Sequence, residues 1–215
     1  LWLASNLTLR IEGDLLGVGV GVDAGEEEPT MVYTRRESIM TWAYAGLLNG
    51  GRCLKMKEPL VGWDDCAEWE KLENVAVEGG GIVDGRAHDW DDGNQRPMLL
   101  DLLWIRGLTL RDLRVTGSAY WTVHPCFCDD VVVRNLSVVT EGKNTDGLDP
   151  DSCWNVLIEG NYFSNGDDNI ALKSGRDWSG RMVNVSTRNV LARHNVYATG
   201  HAGFAIGSET SGGIL

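Results

Sequence analysis

Three short strings hold the residues that could do chemistry: Asn144-Thr145-Asp146-Gly147, Gly166-Asp167-Asp168-Asn169 and Gly200-His201-Ala202-Gly203. Carboxylates brought into one patch cannot all ionise without cost. One member is then pushed up in pKa and can donate a proton near neutral or mildly acid pH, while another stays a base. Glycoside hydrolysis needs that division of labour. An isolated Asp at a strand corner more often bonds backbone N–H groups, so the chemistry depends on the fold stacking these strings. Asp167 and Asp168 add a local condition. Adjacent residues of a regular strand point to opposite faces, so a bulge or turn at Asn165-Gly166 must re-aim one of them.

The elements that would do the stacking are visible as an internal repeat. Asn74-Val75-Ala76-Val77-Glu78, Gly107-Leu108-Thr109-Leu110-Arg111, Asp130-Val131-Val132-Val133-Arg134, Asn155-Val156-Leu157-Ile158-Glu159 and Asn189-Val190-Leu191-Ala192-Arg193 share one frame. Each has a small or polar residue, two core-type residues flanking one, and a charge. A further apolar residue follows seven positions after the first: Ile82, Val115, Val138, Phe163 and Tyr197. Apolar spacing of two is strand periodicity. The residue after the charge is Gly79, Asp112, Asn135, Gly160 or His194, mostly types that tolerate a left-handed corner. The copies start 33, 23, 25 and 34 residues apart, which gives a basal coil of about two dozen residues with loop insertions at 86–97 and 176–182. Strands that can be buried only by stacking on the next copy predict a parallel β-helix. Leucine-rich repeats need a Leu-x-x-Leu-x-Leu frame that no copy supplies. Overlaying the last three coils sets Asp146 level with Asp168 and His201 beside them, one strand spacing of about 4.8 Å per coil.

Composition sets the limits. The chain has 215 residues, 43% hydrophobic, with 19 basic and 31 acidic side chains for a net charge of −12. That is one domain of ordinary size, with no apolar run of the roughly 18 residues that a membrane helix needs. The acidity argues against nucleic acid and membrane partners. The 27 Gly and 5 Pro suit many tight corners between short strands. One β-helix domain over 1–215 is expected, irregular over 1–60 and regular over 70–215. Asn6-Leu7-Thr8-Leu9-Arg10 resembles the pentad, 13–30 reads as a loop, and 37–48 fits either a short helix or a strand. Both ends read as cut, without a signal peptide or closing element. Five cysteines lack metal-ligand spacing, and the odd count leaves at least one unpaired. Sequons at Asn6, Asn135 and Asn184 are compatible with secretion. Nothing in the sequence marks an oligomer, and a monomer is expected.

Taken in order, Asn144-Thr145-Asp146-Gly147, Gly166-Asp167-Asp168 and Gly200-His201 resemble three of the four motifs of the polygalacturonases, glycoside hydrolase family 28. The similarity extends through Trp121-Thr122-Val123-His124-Pro125, Asp149-Pro150-Asp151-Ser152, Ala171-Leu172-Lys173-Ser174-Gly175 and Ala205-Ile206-Gly207-Ser208-Glu209. The resemblance implies a right-handed parallel β-helix, secretion, and hydrolysis of α-1,4-galacturonosyl bonds of pectin with inversion and without metal or other cofactor. Carried over, Asp167 is the general acid, Asp146 and Asp168 activate the water, and His201 supports the acid. Asn144 holds Asp146 or a sugar hydroxyl. Inversion calls for room for a water, with acid and base roughly 6.5 to 9.5 Å apart.

Two departures stand out. Ala202 replaces the usual second glycine of the histidine motif, and the family's Arg-Ile-Lys stretch, which grips the substrate carboxylate, is not in this chain. Lys173 and Arg176 are the cations left to hold a polyanion such as galacturonan. Competing readings are a Ca²⁺-dependent pectate lyase, a rhamnogalacturonan or xylogalacturonan hydrolase, and a truncated β-helix that binds polysaccharide without cleaving it.

Overall fold

The computed structural model describes residues 1–17, 30–87, 90 and 96–215. Strands stack in parallel into three ladders. One is built from Thr8–Arg10, Leu72–Glu78, Ile105–Arg111, Asp129–Arg134, Trp154–Glu159 and Arg188–Arg193. The second runs Asp14–Leu16, Ile82–Asp84, Arg114–Thr116, Ser137–Val139, Tyr162–Ser164 and Val196–Thr199. The third begins with Leu48–Asn49, Leu100–Leu103 and Val123–Cys126. It continues through single bridges at Leu148 and Asp151 to Ile170–Leu172 and Phe204–Ile206. This is the parallel β-helix that the repeat predicted, with the right hand that the family resemblance implied.

The pentads stack in the expected register, with Val75, Leu108, Val131, Val156 and Val190 in one column. All five first positions of the pentad, and all five residues after the charge, have positive φ. The corner chemistry is therefore as legible as the strand period. Asn side chains line one corner, Asn74 Nδ2 donating to Asn6 Oδ1 at 3.1 Å and Asn189 Nδ2 to Asn155 Oδ1 at 2.7 Å. One position shifts. Val83, not Ile82, pairs with Val115 and is wholly buried, because Gly79-Gly80-Gly81 lengthens that corner by one residue.

The core is the apolar column inside the coils, including Leu110, Val133, Ile158 and Phe163. Phe163 is fully buried and stacks on Tyr197 at 6.0 Å. Phe163→Ala should cost about 3–5 kcal/mol by lost transfer energy and a cavity between coils, read as a lowered denaturant midpoint at unchanged m-value.

The N-terminal region departs from expectation. Within 13–30, Asp14–Leu16 is a strand paired with Ile82–Asp84, and 18–29 lies outside the described residues. The ambiguous stretch 37–48 resolves as strand. Met31–Arg36 and Ile39–Tyr44 form an antiparallel hairpin whose turn residues Glu37 and Ser38 both have positive φ, the geometry of a two-residue primed turn. The insertion at 176–182 is not plain loop but a short helix, Asp177–Val183. Most of the 86–97 insertion lies outside the described residues. Cys53 and Cys66 form a disulfide, and Cys126, Cys128 and Cys153 are free and buried. No described helix is long and apolar enough to cross a membrane.

Candidate active site

The turns between the second and third ladders carry the three strings, and backbone bonds fix their stacking. Gly147 N donates to Asp168 O at 2.8 Å, His201 N to Asp167 O at 3.0 Å and Asn169 N to Ala202 O at 2.8 Å. Asp146 and Asp168 are level, as the coil overlay predicted, and His201 sits over Asp167. Gly166 belongs to a bend, so Asp167 and Asp168 are not on a regular strand. A Cβ there would overlap the Gly142 carbonyl, and Gly166 N accepts no crowding because it donates to Thr145 Oγ1 at 3.2 Å. Asn165 Nδ2 braces the turn from below by donating to Thr140 Oγ1 at 2.9 Å.

One carboxylate oxygen from each of Asp146, Asp167 and Asp168 lies within 4.8 Å of the others. This is closer than the spacing called for by inversion with two opposed carboxylates. The difference arises because Asp146 sits on one coil and Asp167 and Asp168 on the next, one backbone hydrogen bond apart. Asp146 is buried and its pKa is pushed up to about 6, first by that burial, against the pull of Lys173 and with the charges of Asp167 and Asp168 adding. Asp168 is raised by burial and by Asp167. Asp167 Oδ1 lies 3.1 Å from His201 Nδ1, and the His201 side chain is 73% exposed. Ala202 is accommodated in the turn, its carbonyl accepting from Asn169.

Lys173 is not a solvated corner. It is buried, its Nζ 2.8 Å from Glu209 Oε2, 3.7 Å from Asp146 Oδ2 and 3.9 Å from Asp149 Oδ1, and 4.6 Å above the Trp121 ring. Burial would lower its pKa, but Asp149, Glu209 and Asp146 together raise it, so the ammonium keeps its charge beside Asp146. Arg176 is already paired, Nη1 with Glu37 Oε2 at 2.8 Å and Nε with Asp177 Oδ2 at 3.5 Å. Asn144 meets Arg96, whose Nη2 donates to Asn144 Oδ1 at 3.3 Å. It does not hold Asp146 in any described hydrogen bond.

Behind the site lies a buried polar network that sequence reasoning missed. His124 Nδ1 is 2.9 Å from Asp101 Oδ1, and its Nε2 is 3.6 Å from Asp151 Oδ2. Arg35 Nη1 lies 3.2 Å from Asp151 Oδ1 and donates to Ser152 Oγ at 2.7 Å. Burial opposes both charges, yet Arg35 and His124 pull the Asp151 pKa down to about 2, and Asp101 and Asp151 lift that of His124 well above its ordinary value. The Asp151 contribution to stability is present above the ordinary carboxylate pKa and lost as pH falls toward about 2. That of His124 is present below its ordinary pKa and lost as pH rises through the raised one. Asp149, wholly buried with both oxygens lacking a hydrogen-bond partner among the described residues, is raised by burial and by Asp146. Strand alternation was the available clue, since Asp149 and Asp151 are two apart and share a face.

Three carboxylates with a buried lysine behind them, stacked on the coils of a parallel β-helix, make a site that can give and take protons. The model of the family Glycosyl hydrolases family 28 matches residues 54–214, and the chain belongs to that family. It is 32% identical over 146 residues to a "Probable polygalacturonase" of Vitis vinifera, covering 66% of this chain and 30% of that protein. It is 29% identical over 169 residues to an "Endo-polygalacturonase" of Pectobacterium carotovorum subsp. carotovorum, covering 78% and 36%. A crystal structure of a hyperthermoactive exopolygalacturonase from Thermotoga maritima superposes with a TM-score of 0.82 at 26% identity, covering 99% of this chain and 53% of that one. The chain spans about a third of the length of these two curated relatives.

Proposed function

We propose that this protein hydrolyses α-1,4-galacturonosyl bonds of pectic galacturonan outside the cell. The observation that carries the reading is the cluster of Asp146, Asp167 and Asp168, backed by the buried ammonium of Lys173. Asp167 gives its proton to the leaving glycosidic oxygen. Asp146 and Asp168 take a proton from a water whose hydroxyl joins the anomeric carbon, so one bond is cleaved and one water consumed. His201 orients the Asp167 carboxyl through Nδ1. The negative substrate needs cations near the site of this acidic chain; Lys173 stands behind Asp146, and Arg36 and Arg96 lie over the Tyr120 ring. The Cys53–Cys66 disulfide and three exposed sequon asparagines suit an oxidising, extracellular setting.

The lyase alternative would place Ca²⁺ among the same carboxylates, whose oxygens are close enough to hold a cation. An ammonium 3.7 Å from Asp146 competes with such an ion, which favours hydrolysis. The test is reducing-end release from polygalacturonic acid at mildly acid pH with a chelator present. Activity that persists without new ultraviolet absorbance is the expected result. Loss to chelator with unsaturated products would replace the hydrolase by a lyase, and no cleavage by the folded chain would leave a binding β-helix.

A further inference from the structure

We infer that Asp149 is a positioning residue that holds a proton: as a buried, neutral carboxylic acid it donates a hydrogen bond to the Asp146 carboxylate and so orients the base toward its water. The inference rests on the role of Asp146 in the hydrolysis proposed above and adds a fourth carboxyl to the site.

Leu148 is wholly buried in the core, and its bridges to Val123 and Ile170 keep this stretch extended. Asp149, the next residue, therefore faces away from the core, where Lys173 of the following coil meets it. The Lys173 ammonium has three carboxyls around it, Glu209 at 2.8 Å, Asp146 at 3.7 Å and Asp149 at 3.9 Å, and none of the four side chains is more than 14% exposed. Three buried negative charges cannot all be kept beside one positive charge. One of the three carboxyls has to carry a proton.

The contacts select Asp149. Glu209 makes the closest pair with Lys173 and also accepts from Ser208 Oγ at 2.8 Å. Asp149 is 0% exposed, and neither of its oxygens receives a hydrogen bond among the described residues. A carboxylate so placed would lose its hydration without replacement, whereas a carboxylic acid needs only an acceptor for its O–H. The Asp146 carboxyl is within hydrogen-bond reach, and two carboxyls that face each other share a proton. The other cation nearby, His124 of the preceding coil, is held by Asp101 at 2.9 Å and Asp151 at 3.6 Å, which also accept from Thr34 and Ser38. Burial and the Asp146 charge raise the Asp149 pKa, and the charges of Lys173 and His124 do not offset them.

A donated O–H does two things for the base. It stabilises the ionised form of Asp146, against the burial and the Asp167 and Asp168 charges that oppose ionisation and alongside the pull of Lys173. It also occupies one lone pair of the carboxylate, which fixes the orientation of the group. Tyr120, the remaining titratable neighbour, is held neutral by burial and by Glu37. Asp149 touches no substrate, because no part of it is exposed, and it acts only through Asp146.

The proton is read directly by carbon-13 NMR of the aspartate carboxyls in the folded chain. One carboxyl still protonated at neutral pH, and missing from the Asp149→Asn spectrum, is the expected result; its absence would overturn the inference. The effect on the base is read from the pH dependence of kcat/KM on polygalacturonic acid. Asp149→Leu removes the donor at similar size, so Asp146 becomes harder to ionise. The acid limb should move up and kcat fall about 10–100-fold, as for a lost hydrogen bond to a charged group. Asp149→Asn keeps a neutral donor and should hold the limb near its parental place, with kcat about fivefold lower for the weaker bond. If Asp149 were ionised, both substitutions would remove a negative charge beside Asp146 and the limb would move down, which contradicts the inference. A folded parent chain that shows the protonated carboxyl but releases no reducing ends would instead sink the galacturonan reading, and with it the use of this proton in catalysis.

Discussion

Asp167→Asn should lower kcat on polygalacturonic acid by about 10²–10⁴-fold, the range supplied by a positioned proton donor. The amide keeps the size of the carboxyl and retains an oxygen for the Asp168 N–H that now donates to Asp167 Oδ1 at 3.0 Å. Folding should therefore be nearly unaffected, and the thermal midpoint close to that of the parent. The loss can be traced to protonation by changing the leaving group. An aryl galacturonide with an acidic phenol departs without help, so Asp167→Asn should retain most of its activity on that substrate. Asp146→Asn should not, because the water still needs a base. If both variants lose activity equally on both substrates, the division of roles between Asp167 and Asp146 is wrong.

The second large effect belongs to Lys173. Lys173→Met removes the ammonium that faces Asp146, Asp149 and Glu209, and breaking a buried pair from one side costs about 3–5 kcal/mol. It should also move the pH profile. Asp146 is held at about 6 with Lys173 pulling it down. Without that charge its pKa rises, by about 1–3 units for a partner at this range. The base is then ionised only at higher pH, and the acid limb of kcat/KM should shift upward. Glu209→Gln in the same chain should recover part of the stability by removing a stranded charge, without restoring the limb. A profile that stays in place would mean that Asp146 is not the group titrating on the acid side.

The sequence carried the coils because stacking repeats one physical demand. Each pentad needs a left-handed corner, an inward apolar pair and an outward charge, and residue types meet that demand five times over. It also carried Asp146, Asp167, Asp168 and His201, since backbone register alone brings them together. The hairpin was less visible. Glu37-Ser38 is not the Asn-Gly or Asp-Gly pair that normally marks a primed turn, and its strands are held by contacts to Asp101 and Asp151 far along the chain. The extra corner residue that moves Val83 into the core hides in three consecutive glycines. Lys173 read as a cation for substrate, but its burial depends on Glu209 and Asp149, which lie 36 and 24 positions away and become neighbours only through the coil stacking. Arg176 read the same way, and Glu37 of the unrecognised hairpin neutralises it.

The close grouping of the three carboxylates makes stereochemistry the sharpest test of the central claim, that a water activated by Asp146 and Asp168 attacks while Asp167 protonates the leaving oxygen. The measurement is proton NMR of the first product released from a galacturonan substrate, recorded before mutarotation. The β-anomer, inverted from the α-linkage, is the expected result, because direct attack by water permits no other outcome. The α-anomer as first product would mean a covalent intermediate on one of these carboxylates and would contradict the assignment.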